Sequence, residues 1–316
     1  MILVCGEALI DLFMRPNVGD GAILEARAGG SPLNVASGAA RLGVPSAFLG
    51  GVSTDHFGEL LMRTALGEGI DMSMAKRTPR PTPFVAVTPD HLGHPTYTFY
   101  AHQTAEGDVD IPDLPAQLSP SIGAIAMGSF ALALEPIGAS LLALAQREGG
   151  QRVISLDPNL RPTMVGPVAL WRERFDAVAQ CAAIIKLSEE DFVGGWGNLA
   201  NAEAVAERYL SQGVQLVIMT RGAAGASAWW SGGQLTLPGR AISMVDAVGA
   251  GDSFHAGLLA RLAHRGMLDR SALARLDRTI VADTVGYAIA AASITCGRRG
   301  ADLPRRAEVE KIFGPD

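Results

Sequence analysis

Val153-Ile154-Ser155-Leu156, Ile184-Ile185-Lys186-Leu187 and Leu216-Val217-Ile218-Met219 are three short apolar runs. Between them lie Trp171 to Gln180 and Ala202 to Gln212, where apolar residues recur at helical spacing. Short runs of this kind read as strands buried on both faces, and strands that alternate with helices call for a mainly parallel sheet flanked by helices. Working outward, Ala124 to Met127 is a further strand, followed by a helix from Pro136 to Arg147. Ile2 to Cys5 opens the chain as a buried strand ending at Gly6-Glu7. A helix is predicted from near Pro32 to Gly43, where Gly43-Val44-Pro45 stops it, then a strand over Ala47 to Val52 and a helix capped by Asp55 that reaches about Leu66. On such sheets ligands gather at the carboxyl ends of the strands.

Two stretches break the rhythm. Leu12 to Ala28 and Thr82 to Tyr100 lack helical periodicity, and the second is rich in β-formers (Phe84, Val85, Val87, then Tyr97 to Tyr100) around a His91-Leu92-Gly93-His94 turn. They predict a small β appendage over one end of the sheet, a lid of about residues 12–28 and 82–100 inserted in a single α/β domain spanning 1–316. Gly and Pro are scattered and no repeat is evident, so no interdomain linker is expected.

Hydrophobic residues make up 48% of the 316, enough for a large core, and 18% are charged, which is not a disordered composition. The net charge of -6 argues against nucleic acid as the main partner, since a phosphate backbone needs a basic face. The apolar run Ile122 to Leu134 is too short to span a bilayer, so no membrane is expected. Cys5, Cys181 and Cys296 are odd in number and far apart, which disfavours a disulfide framework or a zinc site. The first residues lack the basic region of a signal peptide, and the expectation is a cytoplasmic protein.

The chemistry is concentrated in Asp246-Ala247-Val248-Gly249-Ala250-Gly251-Asp252-Ser253-Phe254, followed by the helical pattern Ala256, Leu258, Leu259, Leu262. A Gly-rich turn leading into a helix N-terminus offers free N–H groups and the positive end of the dipole to an anion. Small residues at 249 to 251 let a phosphate come close, and Asp252 at the same end can take a proton from an attacking hydroxyl. Read alone, the segment is equally an ordinary capped helix. It is not a dinucleotide fingerprint, because Phe254 stands where a third glycine belongs, and no Gly-Lys-Ser/Thr P-loop occurs in the chain.

Gly249-Ala250-Gly251-Asp252 resembles the C-terminal signature of the ribokinase-like (PfkB) family of carbohydrate kinases. Gly29-Gly30-Ser31-Pro32-Leu33-Asn34-Val35-Ala36 with Gly43 resembles its N-terminal signature, and Gly6-Glu7-Ala8-Leu9-Ile10-Asp11 the opening of its bacterial fructokinases. Asp157-Pro158-Asn159-Leu160-Arg161 and Thr220-Arg221-Gly222-Ala223-Ala224-Gly225 are similar to two further segments, in the expected order. The resemblance implies a ribokinase-like fold and an ATP-dependent sugar kinase. Asp11, Gly30, Asn34 and Asn159 would meet the sugar; Gly249, Ala250, Gly251 and Arg161 would receive the transferred phosphate, with Asp252 as base. Lys186, Ser188, Thr220, Gly222 and Gly225 would serve ATP. Mg²⁺ would arrive with ATP, K⁺ would sit near Asp246, Val248 and the Arg298 to Gly300 turn, and a homodimer through the lid is a further implication.

Some positions depart from the family pattern. Ser188-Glu189-Glu190-Asp191 stands where Asn-x-x-Glu is usual, which makes Asp191 a candidate Mg²⁺ ligand and leaves Glu190 as its rival. Ala247 and Ser53 replace more usual residues without removing a reacting group. The resemblance implies fructose as the substrate: in relatives that use sugar acids an arginine commonly follows the aromatic pair, whereas Phe99-Tyr100 is followed here by Ala101-His102, which is similar to the fructokinase segment. The alternatives are a kinase for 2-keto-3-deoxygluconate or another sugar acid, and a non-catalytic relative that binds sugar or nucleotide.

Overall fold

The computed structural model describes residues 1–18, 21–89 and 95–314. Its strands are β1 Ile2–Cys5, β2 Leu9–Val18, β3 Gly21–Gly29, β4 Ser46–Leu49, β5 Gly51–Ser53, β6 Lys76–Thr78, β7 Phe84–Pro89, β8 Pro95–Tyr100, β9 Ala124–Gly128, β10 Val153–Asp157, β11 Ile184–Ser188, β12 Leu216–Thr220, β13 Ala226–Trp230 and β14 Gly233–Leu237. The helices are α1 Ser31–Arg41, α2 His56–Gly67, α3 Ile137–Glu148, α4 Pro162–Val165, α5 Val168–Ala179, α6 Glu189–Trp196, α7 Ala202–Ser211, α8 Ala250–His264, α9 Arg270–Leu273, α10 Arg278–Cys296 and α11 Arg306–Phe313.

Eight strands form the central sheet in the order β14-β13-β12-β11-β10-β9-β1-β4. The six from β12 to β4 run parallel, and β13 and β14 close one edge antiparallel. Because both faces are covered, β1, β4, β9 and β10 are buried throughout their lengths. One face packs on α1, α8, α10 and α11 through residues such as Val35, Leu258, Val285 and Val309. The other packs on α3, α5, α6 and α7 through Leu141, Phe175, Phe192 and Tyr209.

The aperiodic stretches form a four-stranded sheet, β3-β2-β7-β8, in which β2 and β7 are parallel and the outer pairs antiparallel. The His91 to His94 turn lies outside the described residues. The strand expected over Ala47 to Val52 is two strands. Its first half, β4, pairs with β1, and its second, β5, pairs with β6 in a separate ribbon. The break falls at Gly50-Gly51, where a Cβ would collide with Gly6 O or Ala105 O; the turn Ala105–Gly107 packs there.

Helix α10 gives no periodic signal in the sequence, because its apolar residues run nearly all round. Among the described residues it is the one helix long and apolar enough to cross a membrane, with mean hydropathy 1.4. Its Val281, Val285, Ala288 and Ala291 are buried, and Gly257 of α8 admits Ala288 and Ala291 at close range.

Candidate active site

The carboxyl ends of β1, β9, β10, β11 and β12 and the N-termini of α1 and α8 converge below the small sheet, and nearly every residue singled out from the sequence lies there. At the start of α8, Gly249 has φ 75, and a Cβ on it would lie 2.6 Å from that of Ala301, so conformation and packing both demand glycine. Ala250 N–H bonds to Ala247 O and Ser253 N–H to Gly249 O. The N–H groups of Gly251 and Asp252 have no protein partner among the described residues and stand ready for an anion.

Asp252 is buried. Its Oδ1 accepts a hydrogen bond from Ser31 Oγ (2.6 Å) and its Oδ2 one from Asn34 Nδ2 (2.8 Å), both on the first turn of α1. Burial pushes its carboxyl above the ordinary range, against those two hydrogen bonds and the charge of Lys186. Asn34, expected to meet the sugar, thus holds the Asp252 carboxylate, and Ser31 is a contact that sequence reading missed although it sits inside the quoted motif. The two helices approach closely because α1 has a glycine opposite Ala256: a Cβ on Gly38 would lie 2.6 Å from the Ala256 Cβ.

Asp11, on β2, lies over Gly29, where any side chain would strike its carboxylate. Burial, and then the charge of Asp252, raise its pKa to about 7, so the two acids face one volume. Gly30 caps α1 at φ 100 with no room for a Cβ beside Glu7 O. Asn159, beyond β10, has φ 35, and its Nδ2 lies 3.3 Å from Oγ of Ser129, which follows β9 at φ 55. Two non-glycine residues in the left-handed region, bonded to each other at adjacent strand ends, mark a strained site. Arg161 heads α4. Burial, and then the charge of Asp246, raise the pKa of the Tyr97 phenol on β8, against the charge of Arg161. Tyr97, like Ser129, carries no motif signature.

Lys186 is buried rather than solvated. Its Nζ bonds Asp157 Oδ2 at 2.8 Å and lies 3.3 Å from where a Cβ on Gly251 would be, so the ammonium sits against the anion turn. Burial alone would lower its pKa; the charges of Asp157, Asp191 and Asp252 outweigh it and hold the ammonium above its ordinary value. Thr220 ends β12 opposite Ser188 of β11. Gly222 (φ 52) and Gly225 (φ 95) form the turn that follows. Asp246 accepts from Val248 N at 3.1 Å and Gly300 N at 2.8 Å, so its carboxylate braces the two loops expected to offer carbonyls to K⁺.

Asp191, read from the sequence as a candidate Mg²⁺ ligand, is engaged in protein hydrogen bonds. Asp191 is buried in a capping box, its Oδ1 accepting from Leu160 N (2.6 Å) and its Oδ2 from Ser188 N (2.8 Å) and Ser188 Oγ (2.6 Å). Those bonds occupy the carboxylate in joining α6 to the loop after β10. Glu190 is exposed and has no hydrogen-bond partner among the described residues. No group of three or more His, Cys, Asp or Glu able to hold a metal occurs among the described residues.

Glu7 and Glu106 are buried beside this site, each with one carboxyl oxygen lacking a partner. Burial raises Glu7 to about 8 and Glu106 to about 7. Between the ordinary carboxylate range and pH 8 the unfolded chain has released protons that the fold retains, so these groups lower stability as pH rises through that window. Glu7→Gln removes the larger cost and can keep the contact with Ser129. It is expected to flatten the fall of Tm between pH 5 and 8.5 and to gain about 2 kcal/mol at the upper end. Thermal unfolding against pH reads this, and parallel wild-type and variant curves contradict it.

The comparisons with known proteins follow this geometry. The pattern of the pfkB family carbohydrate kinases matches residues 1–307. A fructokinase of Rhizobium leguminosarum bv. trifolii is 38% identical over 277 residues, 88% of this chain and 84% of that protein. The crystal structure of a Xylella fastidiosa fructokinase with bound ATP superposes with a TM-score of 0.90 at 25% identity, covering 98% of this chain and 97% of the other. A double mutant of Vibrio cholerae O395 fructokinase, with fructose, ADP and potassium ion bound, has a TM-score of 0.83 at 26% identity over 99% and 97% of the two chains. Fold and site together define an ATP-dependent sugar kinase, a phosphotransferase with the ribokinase-like architecture. The chain belongs to the pfkB family of carbohydrate kinases.

Proposed function

We propose that the enzyme is a fructokinase that passes the γ-phosphoryl group of ATP to a hydroxyl of fructose. The observation that carries this is the placement of Asp252, at the anion turn yet tied to Ser31 and Asn34 on the sugar side and facing Asp11. In this reading the hydroxyl gives its proton to Asp252 as its oxygen attacks phosphorus. Charge on the moving group is met by the N–H groups of Gly251 and Asp252, by Lys186 and by Arg161. Glu190, exposed and without a hydrogen-bond partner among the described residues, would help hold Mg²⁺, whose charge would offset that of the nucleotide phosphates. Backbone carbonyls of the 246–248 and 298–300 loops would take potassium, as the neighbour with that ion bound suggests by analogy. The small sheet acts as a lid. Its exposed Met14, Ile23, Leu24 and Tyr100 suit contact with a second copy, giving a cytoplasmic homodimer.

A neutral ketohexose is favoured because Asp11 and Asp252 would repel an acid, and the segment after Tyr100 supplies no lysine or arginine to clamp one. The competing sugar-acid reading rests on Arg161 alone. We expect kcat/KM for fructose to exceed that for 2-keto-3-deoxygluconate by at least about tenfold, a difference of about 1.4 kcal/mol. A higher value for the acid reverses the assignment. In the same assay excess chelator should abolish turnover, and sodium-only buffer should lower it; full activity in either removes the corresponding ion from the proposal.

A further inference from the structure

Behind the anion turn lies a polar chain that the site so far does not use. His255, one turn beyond Asp252 on α8, is buried in a helix whose neighbouring side chains, Phe254, Ala256, Leu258 and Leu259, are apolar. Its Nε2 is 2.7 Å from Ser155 Oγ on β10, and its Nδ1 is 3.7 Å from Asp157 Oδ2. That oxygen is the one that holds Lys186. His255, Asp157, Ser31 and Ser129 share the lining of a small crevice at the floor of the cleft. A leucine would fill the histidine's place without a polar group to desolvate, so the imidazole calls for a reason.

Two facts fix its state. Burial, and then the Lys186 charge, drive its pKa down to about 3, so the ring is neutral wherever the enzyme works. A neutral ring has one donor and one acceptor nitrogen. At 3.7 Å Nδ1 is beyond hydrogen-bond reach of Asp157, but the charge of that carboxylate favours the tautomer with its proton on Nδ1, facing it, and the Nε2 lone pair then accepts the buried Ser155 hydroxyl. The order Ser–His–Asp is that of a nucleophilic triad, but Ser155 is 0% exposed and no substrate can reach it. The serine here only satisfies the Nε2 lone pair that the tautomer leaves bare.

We infer that His255 is a positioning residue for phosphoryl transfer: with Ser155 it orients Asp157, which holds the Lys186 ammonium against Gly251 where the moving phosphate lands. This rests on the kinase reading. It predicts an effect on the chemical step and little on ground-state binding, because His255 touches neither substrate.

The test uses the full-length enzyme, with three variants and a spectroscopic measurement that needs no turnover. His255→Phe fills the site without polar atoms and should lower kcat about 10- to 100-fold, with KM for ATP and for fructose within about threefold of wild type. His255→Asn keeps a donor near the Nδ1 position and should recover most of that loss. In ¹⁵N NMR the His255 ring should show protonated Nδ1 and bare Nε2, unchanged down to pH 5. Ser155→Ala removes the donor to Nε2 and should lower kcat in the same direction as His255→Phe, with the Nδ1 proton kept. The inference fails if Nε2 carries the proton, if the asparagine variant is no better than phenylalanine, or if lost activity only tracks the unfolded fraction measured by circular dichroism. A wild-type enzyme with no sugar kinase activity would overturn the function proposed above, while the NMR spectrum would still decide the tautomer by itself.

Discussion

Asp252→Asn should fold, bind ATP, and turn over at least about 10²-fold more slowly than wild type. An amide cannot take the proton of the attacking hydroxyl, and loss of a positioned general base costs about 10² to 10⁴ in rate. The side chain keeps its volume, and Ser31 Oγ, 2.6 Å from Oδ1, can still donate to the amide oxygen. Asn34 must turn its own amide to meet the new NH₂ group. Stability should move the other way from activity. The folded pKa of Asp252 is raised, so its ionised form at neutral pH costs the fold free energy that a neutral amide does not. The expected signature is a Tm equal to or above wild type at pH 7.5 together with collapsed kcat and an unchanged Kd for ATP. Wild-type turnover would remove Asp252 from the base role, and a collapsed Tm would make it chiefly structural.

Lys186→Met should damage both activity and stability. The ammonium beside Gly251 is the buried cation closest to the anion turn, and loss of one group stabilising developing charge costs about 10² to 10³ in kcat. Its removal also leaves Asp157 buried without its ion-pair partner. Breaking a buried pair from one side costs about 3 to 5 kcal/mol, far more than the pair's net worth. The two effects separate in the double variant Lys186→Met/Asp157→Asn. It should regain most of the lost stability, because no unpaired charge remains, and none of the lost kcat. Chemical denaturation and steady-state kinetics on the two variants decide it. Recovery of activity with stability would mean that the lysine serves the fold alone.

The central strands and most helices were legible because their signals are local. Val153 to Leu156, Ile184 to Leu187 and Leu216 to Met219 appear in the structure one residue longer each. Asp55 caps α2 by accepting from Gly58 N, as its position before the helix implied. The site was legible where the backbone itself makes the chemistry: Gly249 and Gly30 sit at positive φ, and only glycine suits both places. What stayed hidden was decided by partners far away in sequence. Ser31 reads as a helix residue until Asp252, 221 positions on, takes its hydrogen bond. His255 reads as one face of an amphipathic helix until Ser155 meets it across 100 positions. The hydrogen bonding of Asp191 was hidden for the same reason, since the Leu160 N–H that donates to it comes from another loop.

The close approach of α1 and α8 acts as a fixed gauge. One helix carries Ser31 and Asn34, the other is headed by Gly249 and carries Asp252, and they touch one turn further along at Gly38 and Ala256. The spacing between the Asp252 carboxylate and the two groups that donate to it is thus machined into a contact away from all three. A methyl group on Gly38 would be a shim between two beams, also pressing on Leu303 at 2.6 Å, and would tilt one set of partners away from the other. Precision at this cluster is inherited from the absence of a side chain at a place outside it.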